Sequence, residues 1–418
     1  MKRDVLIIGG GAIGLHAAYF LIRSGRRVAI FDQGTIGTGS SDGNAGHIVP
    51  SHIVPLAAPG VISTALKWLL DSNNSPFGLA VRLHPSYLSW LLRFALSCSH
   101  KNVQRSLPAL KWLGVMSANL FAQIIAQEGF ACNYQPSGVL FLYQTEAGLQ
   151  AGRHEADLLL QHNLPAEVLS RDAVRQREPL VRPEVIGGVH FLTDASLHPG
   201  RYLQALKERV YALGAEGFEG MWVTDLEAQN DRIRRVRTDR GDFEAETVVL
   251  AAGAWTPFLA RSLGLHLPIQ PARGYSLTVT APGTMPRQAL LLGERRVAVT
   301  PMGDVLRFTG RLEVGQMSMT PDPRWLSAIE RAVREYIYMD ERLEIRQTWA
   351  GLRPVTPDGV PIIGFSPRHA NLIIAAGHAM LGLSLGPGTG KVVADLANGV
   401  PLDFDLSPFR VDFRARKG

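Results

Sequence analysis

Apolar residues follow two rhythms along this chain, and the switches between them outline its elements. Near the N-terminus, "DVLIIGGGAIG" is a continuous apolar run that ends among glycines, and "LHAAYFLIRSG" then repeats its apolar residues at helical spacing. A second short run, "RRVAIFD", closes a strand, turn, helix, strand unit at Asp32. Far downstream, "AETVVLAAGAWT" (245–256) and "NLIIAAGH" (371–378) read as further buried strands. "RYLQALKERVYALG" (201–214) reads as a helix, and the next segment as strands joined by turns at Gln229-Asn230-Asp231 and Arg240-Gly241. Between these lie a helix at 111–129, a strand at 137–145, and a strand-rich portion from "LPIQPARGYSLTV" through "RRVAVTPMGDVLRFTGRLEVG". Residues 322–345 alternate charged and apolar positions as a solvated helix does. The pattern predicts an α/β protein. A nucleotide-type unit built from 1–55, 195–262 and 346–418 is interleaved with a mainly antiparallel sheet unit from 56–194 and 263–345.

Composition narrows this picture. With 418 residues, 46% of them hydrophobic, the chain can bury a large core, which excludes disorder. The net charge of +6 favours an anionic substrate, an acidic partner or an acidic membrane surface; no nucleic-acid partner is expected. Cys98 and Cys132 are the only cysteines, so neither a disulfide framework nor a cysteine-ligated metal is expected, and a reducing cytoplasm fits. No uncharged apolar run reaches the length of a membrane span. "YLSWLLRFALS" (87–97) reads either as a core helix or as an amphipathic helix lying in an interface, which leaves a peripheral place on the inner face of the cytoplasmic membrane open.

The glycine spacing carries the first chemistry. Gly9-x-Gly11-x-x-Gly14 sits between strand and helix: Gly9 permits the turn, Gly11 lets a pyrophosphate approach the backbone, and Gly14 lets helix and sheet pack closely. Ala12 and Ile13 open the helix whose N-terminus faces the phosphates. Asp32 stands where a dinucleotide-binding unit places the carboxylate that accepts ribose hydroxyls, with Gln33 beside it. The long polar stretch "QGTIGTGSSDGNAGHIVP" and the small-residue turn at Ala252 and Gly253 favour FAD over a nicotinamide, because both supply backbone N–H groups to a long cofactor.

Two later motifs complete the site. The strand ending at His378 enters a turn, and a helix begins at about Gly388 and closes at Gly399, so its N-terminus faces that turn. Beside a flavin, a helix N-terminus stabilises the negative charge of the reduced ring. In "GLRPVTPDGVPIIG" (351–364), Arg353 stands in apolar surroundings with Asp358 as the segment's one acidic residue. It is either half of a salt bridge with Asp358 or a site for a substrate carboxylate.

Taken together, "SSDGNAGHIVP", "PLAAPGV", "GVHFLTDASLHPGRY", "LAAGAW", "RGYSLTV", "GLRPVTPDGVPIIG" and "GHAMLGLSLGPGTGK" resemble the D-amino-acid oxidase-like family of FAD-dependent oxidoreductases, most closely its bacterial D-amino-acid dehydrogenases. The resemblance spans nearly the whole chain and implies a Rossmann-type, glutathione-reductase-like FAD-binding domain. It implies that Ser40, Ser41, Asn44, Ala45, Gly46 and His47 follow the pyrophosphate and flavin ring, that Val223 meets the adenine, and that Gly382, Leu383 and Ser384 meet the isoalloxazine. Arg353 falls on the family's carboxylate-binding arginine, and Tyr275 on a tyrosine at the substrate. His52 and His378 join them as candidate catalytic groups.

Where some relatives carry a second charged residue after Gly-His, this chain has Ala379-Met380-Leu381, which disfavours a large or charged substrate side chain. The implied reaction is hydride transfer from Cα of a small or cyclic D-amino acid, D-proline or a hydroxylated D-proline, to flavin N5. Electrons then leave to a quinone or a protein acceptor. A flavin subunit of a multi-subunit amine dehydrogenase and a glycine- or sarcosine-type oxidase are the alternatives.

Overall fold

The computed structural model describes residues 3–70, 75–80 and 82–410. The opening run forms the strand Arg3–Ile8, which lies between Val28–Phe31 and Ala245–Leu250, parallel to both. Glu216–Phe218 extends one edge of this six-stranded sheet; Leu372–Ala376 and the antiparallel Ile362–Phe365 extend the other. Its central strands are buried on both faces, which is why they read as unbroken apolar runs instead of alternating.

The helices Ala12–Arg23 and Gly386–Asn398 pack against each other, and the closeness is set by glycine. A Cβ at Gly390 would stand 2.5 Å from the backbone carbon of His16. The second helix starts at Gly386, two residues before the expected Gly388. A fixed Pro387 at its first turn needs no N–H there, so the helix extends past the glycine pair.

The second sheet has nine strands, ordered Ile345–Val355, Gln270–Thr280, Val305–Val314, Val297–Pro301, Ala289–Leu292, Val139–Tyr143, Gly187–Phe191 and Ala166–Ser170, with Phe77–Leu79 beside Val305–Val314. The helix Pro323–Tyr336 covers one face, where Leu326, Ile329 and Val333 meet Tyr275, Leu277 and Phe308. Two corrections to the expected division follow. The boundary at 346 cuts the strand Ile345–Val355, which pairs along Gln270–Thr280, so Arg353 belongs to the antiparallel sheet. The predicted helix at 111–129 is the end of a longer one, His100–Glu128, whose Phe121 and Ile124 are buried in the nucleotide unit's core.

That 29-residue helix is long and apolar enough to cross a bilayer by length and composition, but its apolar residues are spent inside the fold. The helix Pro85–Ser97 divides differently from a core helix. Tyr87 and Trp90 are buried, whereas Leu88, Leu92 and Leu96, spaced by one turn each, are 48%, 63% and 72% exposed. The turn expected at Asn230-Asp231 closes the hairpin Val223–Gln229/Arg232–Thr238, with positive φ at both residues.

Candidate functional site

A cavity of about 540 Å³ runs between the two sheets, within the range of cofactor and ligand pockets. At one end the turn after Arg3–Ile8 approaches the end of Ala245–Leu250 so closely that a Cβ at Gly9, φ 105°, would stand 2.4 Å from the carbonyl oxygen of Ala251. A Cβ at Gly14 would fall 1.9 Å from the Gly9 oxygen, while at Gly11 it would meet only Ser41 Oγ at 3.6 Å. Gly14 is therefore a packing glycine and Gly11 faces open space. The helix N-terminus here has no capping side chain of its own and no acidic residue in its first turn; Ser41 Oγ accepts from Ala12 N at 3.2 Å. Asp32 accepts from Gly10 N and Gly34 N, each at 2.8 Å, and a carboxylate keeps lone pairs for further donors.

The polar stretch after Asp32 lies against the uncovered face of the nine-stranded sheet. Ser40 Oγ donates to the Leu352 carbonyl at 2.6 Å, and Arg307 Nη1 donates to the carbonyls of Asp42 and Asn44 at 2.6 and 3.1 Å. Gly43 lies directly on the ring of Trp349, 2.0 Å from it at the position of a Cβ. Asn44 Oδ1 accepts from Gly46 N, His47 Nε2 meets Thr300 Oγ1 at 2.9 Å, and Ser384 Oγ accepts from Val49 N at 2.9 Å. His378 Nε2 meets Thr389 Oγ1 at 3.0 Å, tying the turn to the first turn of the following helix. Burial pushes the imidazoles of His47 and His378 down to about 3, so both are neutral at physiological pH.

Arg353 is the charge at the far end of the cavity. Its guanidinium lies over Gly274, where a Cβ would stand 2.2 Å from Cζ, and Nη1 donates to the Arg311 carbonyl at 2.7 Å. That carbonyl is presented by a bulge: between Tyr275–Gly310 and Arg273–Glu313 the strand Val305–Val314 carries one extra residue, and Arg311 has φ 59°. No carboxylate pairs with Arg353 among the described residues; Asp358 pairs with Arg105 at 3.1 Å instead. Desolvation pulls the Arg353 pKa down to about 10, which leaves it a cation.

Most of the residues expected at the site line the cavity: Gly9, Gly11, Ala12, Ile13, Asp32, Gln33, Ser40, Ser41, Asn44, Val223, Ala252, Gly253, Gly382, Leu383, Arg353 and His378. Ala45, Gly46, His47 and Ser384 are outside that lining; Gly46 N donates to the lining residue Asn44, while His47 and Ser384 bond to Thr300 and Val49. Tyr275 and His52 are displaced from the expected substrate site. Tyr275 points to the helix-covered face of its strand and donates to Glu313 at 2.6 Å; the His52 ring packs near Phe141, with Nδ1 3.4 Å from Ser51 Oγ. Arg307, Trp222, Trp255 and Trp349 were not anticipated. For Arg307 a signal existed: it is a lone charge inside the apolar run "VLRFTG", and a charge buried in a strand needs several acceptors.

The comparisons agree with this geometry. The family model described as DAO, FAD dependent oxidoreductase, matches residues 4–396. The chain is 30% identical over 413 residues to a D-amino acid dehydrogenase of Rhizobium rhizogenes, covering 97% of this chain and 99% of that one. It is 32% identical to a D-amino acid dehydrogenase of Methylobacterium sp., covering 94% and 95%. Among solved structures it resembles glycine oxidase from Geobacillus kaustophilus, with a TM-score of 0.81, 24% identity and 98% of each chain covered. It also resembles L-proline dehydrogenase from P. horikoshii, with a TM-score of 0.76, 20% identity and 100% and 98% covered. The chain belongs to the DAO family of FAD-dependent oxidoreductases. FAD fits the residues present, since a helix N-terminus with no side-chain cap from Gly11, the open backbone at Gly11 and an available Asp32 carboxylate face one cavity.

Proposed function

We propose that this protein is a dehydrogenase that oxidises the Cα–N bond of a small or cyclic D-amino acid, D-proline or a hydroxylated D-proline, to the imine, which water hydrolyses or which remains cyclic. The observation that carries this reading is the half-buried Arg353 guanidinium at the cavity wall, without a carboxylate partner among the described residues. A planar two-pronged donor in a desolvated place suits a substrate carboxylate, and the names of the relatives supply the substrate class and its handedness.

Gly11, Ser41 and the first turn of Ala12–Arg23 would hold the pyrophosphate, Asp32 the adenosine ribose, and Gly382 and Leu383 the ring. When bound, FAD supplies the two-electron acceptor, N5 of its ring, for the hydride on the substrate's Cα. Arg353 fixes the carboxylate and so the direction of the Cα–H bond. The neutral imidazoles of His47 and His378 add no positive charge beside a substrate amine. The amine enters neutral, so no strong base is required of the protein. Ala379, which lines the cavity, and the absence of a charge in the turn Ala379-Met380-Leu381 favour a small, uncharged side chain.

A quinone or a protein accepts the electrons in this reading. The outward leucines of Pro85–Ser97 support contact with an apolar surface, and a peripheral site on the membrane's cytoplasmic face fits them. The visible spectrum of the purified protein without oxygen tests the reaction. Flavin absorbance is expected to bleach with the D-forms of proline, 4-hydroxyproline or alanine and not with the L-forms. Bleaching by sarcosine or glycine alone would give the substrate to the oxidase-type alternative.

A further inference from the structure

The carbonyl that holds Arg353 belongs to a residue with an unusual anchorage. Opposite Gly274 the strand Val305–Val314 carries Arg311 and Leu312 where one residue would pair. Arg311 has φ 59°, a left-handed conformation that such bulges ordinarily give to glycine. An arginine there carries a strain that glycine would avoid, and its side chain is held at three points. Nη1 donates to the Ser75 carbonyl at 2.6 Å, Nη2 donates to Glu313 Oε1 at 3.2 Å, and Cζ stands 3.1 Å from the centre of the Trp325 ring. The backbone of Arg311 thus meets Arg353 while its side chain is fixed beneath the helix Pro323–Tyr336.

Glu313 ties Arg311 to the strand opposite. Its Oε2 accepts from the Tyr275 hydroxyl at 2.6 Å and from Arg273 Nε and Nη2 at 3.0 and 2.9 Å. Arg273 and Tyr275 stand on either side of Gly274, over which the Arg353 guanidinium lies. The side chains of Arg273, Arg311 and Glu313 are only 11%, 9% and 12% exposed, so water competes little for these bonds. One carboxylate therefore fixes both parts of the guanidinium's seat, the floor at Gly274 and the carbonyl at Arg311. None of these four side chains lines the cavity.

We infer that Glu313, Arg311 and Tyr275 are positioning residues that aim the Arg353 guanidinium at the substrate carboxylate. The inference rests on the amino-acid reading above. The bond to the Arg311 carbonyl is the one side-chain hydrogen bond that Arg353 makes among the described residues. A shift of that carbonyl turns the guanidinium, and a two-pronged bond to a carboxylate tolerates little rotation.

The test uses the flavin-loaded protein and two readouts. One is steady-state kinetics with the D-amino acid that bleaches the wild-type flavin fastest; the other is titration of flavin absorbance with propionate, a carboxylate without an amine. Tyr275→Phe, which removes one hydroxyl, is expected to raise KM and the propionate dissociation constant about threefold. Glu313→Gln, and Arg311→Gly with its backbone suited to the same φ, are expected to raise both roughly tenfold, with kcat within about twofold of wild type. In an Arg353→Lys background the same changes have less than about a twofold effect, because the fork they aim is gone. A purely structural cluster would lower kcat, flavin content or melting temperature and leave the propionate constant alone. That result, or full additivity with Arg353→Lys, overturns the inference while leaving the dehydrogenase reading intact. If Glu313→Gln or Arg311→Gly fails to fold, Tyr275→Phe decides. If no D-amino acid bleaches the wild-type flavin, the functional reading falls and the propionate constants alone decide the positioning; a wild-type protein that neither bleaches nor binds propionate overturns both.

Discussion

At the scale of the residue, Arg353 concentrates the argument. A half-buried guanidinium held by one backbone carbonyl gains more from an anion than a fully exposed arginine does. Arg353→Lys keeps the charge but loses the planar fork, and kcat/KM for the amino acid is expected to fall by about 100-fold, with flavin content unchanged. Rapid-reaction bleaching at several substrate concentrations separates the binding loss from the chemical step. Retention of wild-type kinetics would remove Arg353 from the site. This residue was legible in the sequence because a charge among glycines, prolines and aliphatics has only Asp358 beside it in its segment, and the resemblance chose between the two readings. Tyr275 was not legible in the same way. Its neighbour in sequence, Gly274, faces Arg353, and a one-residue offset along a strand sends a side chain to the other face.

At the scale of the element, two glycines set distances that no other residue would keep. Gly274 makes room for the guanidinium. In Gly274→Ala the new methyl displaces the mobile end of Arg353 and not a backbone atom. The expected outcome is a KM raised roughly tenfold or more with a melting temperature close to wild type. Gly390 is the contrasting case, since its Cβ would strike the backbone of His16 in the opposing helix. Gly390→Ala is expected to cost about 1–3 kcal/mol, read as a lowered midpoint in denaturant unfolding of the flavin-loaded protein. An unchanged midpoint would mean that the two helices separate freely. The glycine-rich motif showed that close approaches occur in these places; which atom each glycine meets depends on the partner element.

At the scale of the whole molecule, burial of titratable groups shapes the response to acid. His16, His47, His52 and His378 are pushed by burial to about 4, 3, 4 and 3, below the usual imidazole value near 6.5. The unfolded chain takes up these protons first as pH falls. Stability from these groups is thus complete above about pH 6.5 and declines toward pH 4, by about 1.4 kcal/mol per pH unit for each. Asp194, pushed up to about 8, and the half-buried Glu155 and buried Glu178, whose carboxyls desolvation pushes up, oppose this, because their folded forms hold protons the unfolded chain releases. Histidines outweigh them, and thermal unfolding between pH 7 and 5 is expected to show a falling midpoint. A midpoint that rises over that interval would show that the buried carboxyls dominate.

By itself the sequence determined the strand-turn-helix at Gly9 to Gly14, the acidic residue Asp32 after the next strand and an arginine, Arg353, among glycines, prolines and aliphatics. Those features are local: they depend on spacing within a few turns of chain, on glycine's missing Cβ and on a charge with a single acidic residue in its segment. Only the tertiary structure decided that Arg353 sits on the antiparallel sheet, that Tyr275 faces the core, and that Arg307 holds the carbonyls of Asp42 and Asn44. These follow from which strands become neighbours and in what register. Arg307 reaches Asp42 and Asn44 only when the strands pair and the polar stretch folds over their face, which no local pattern encodes.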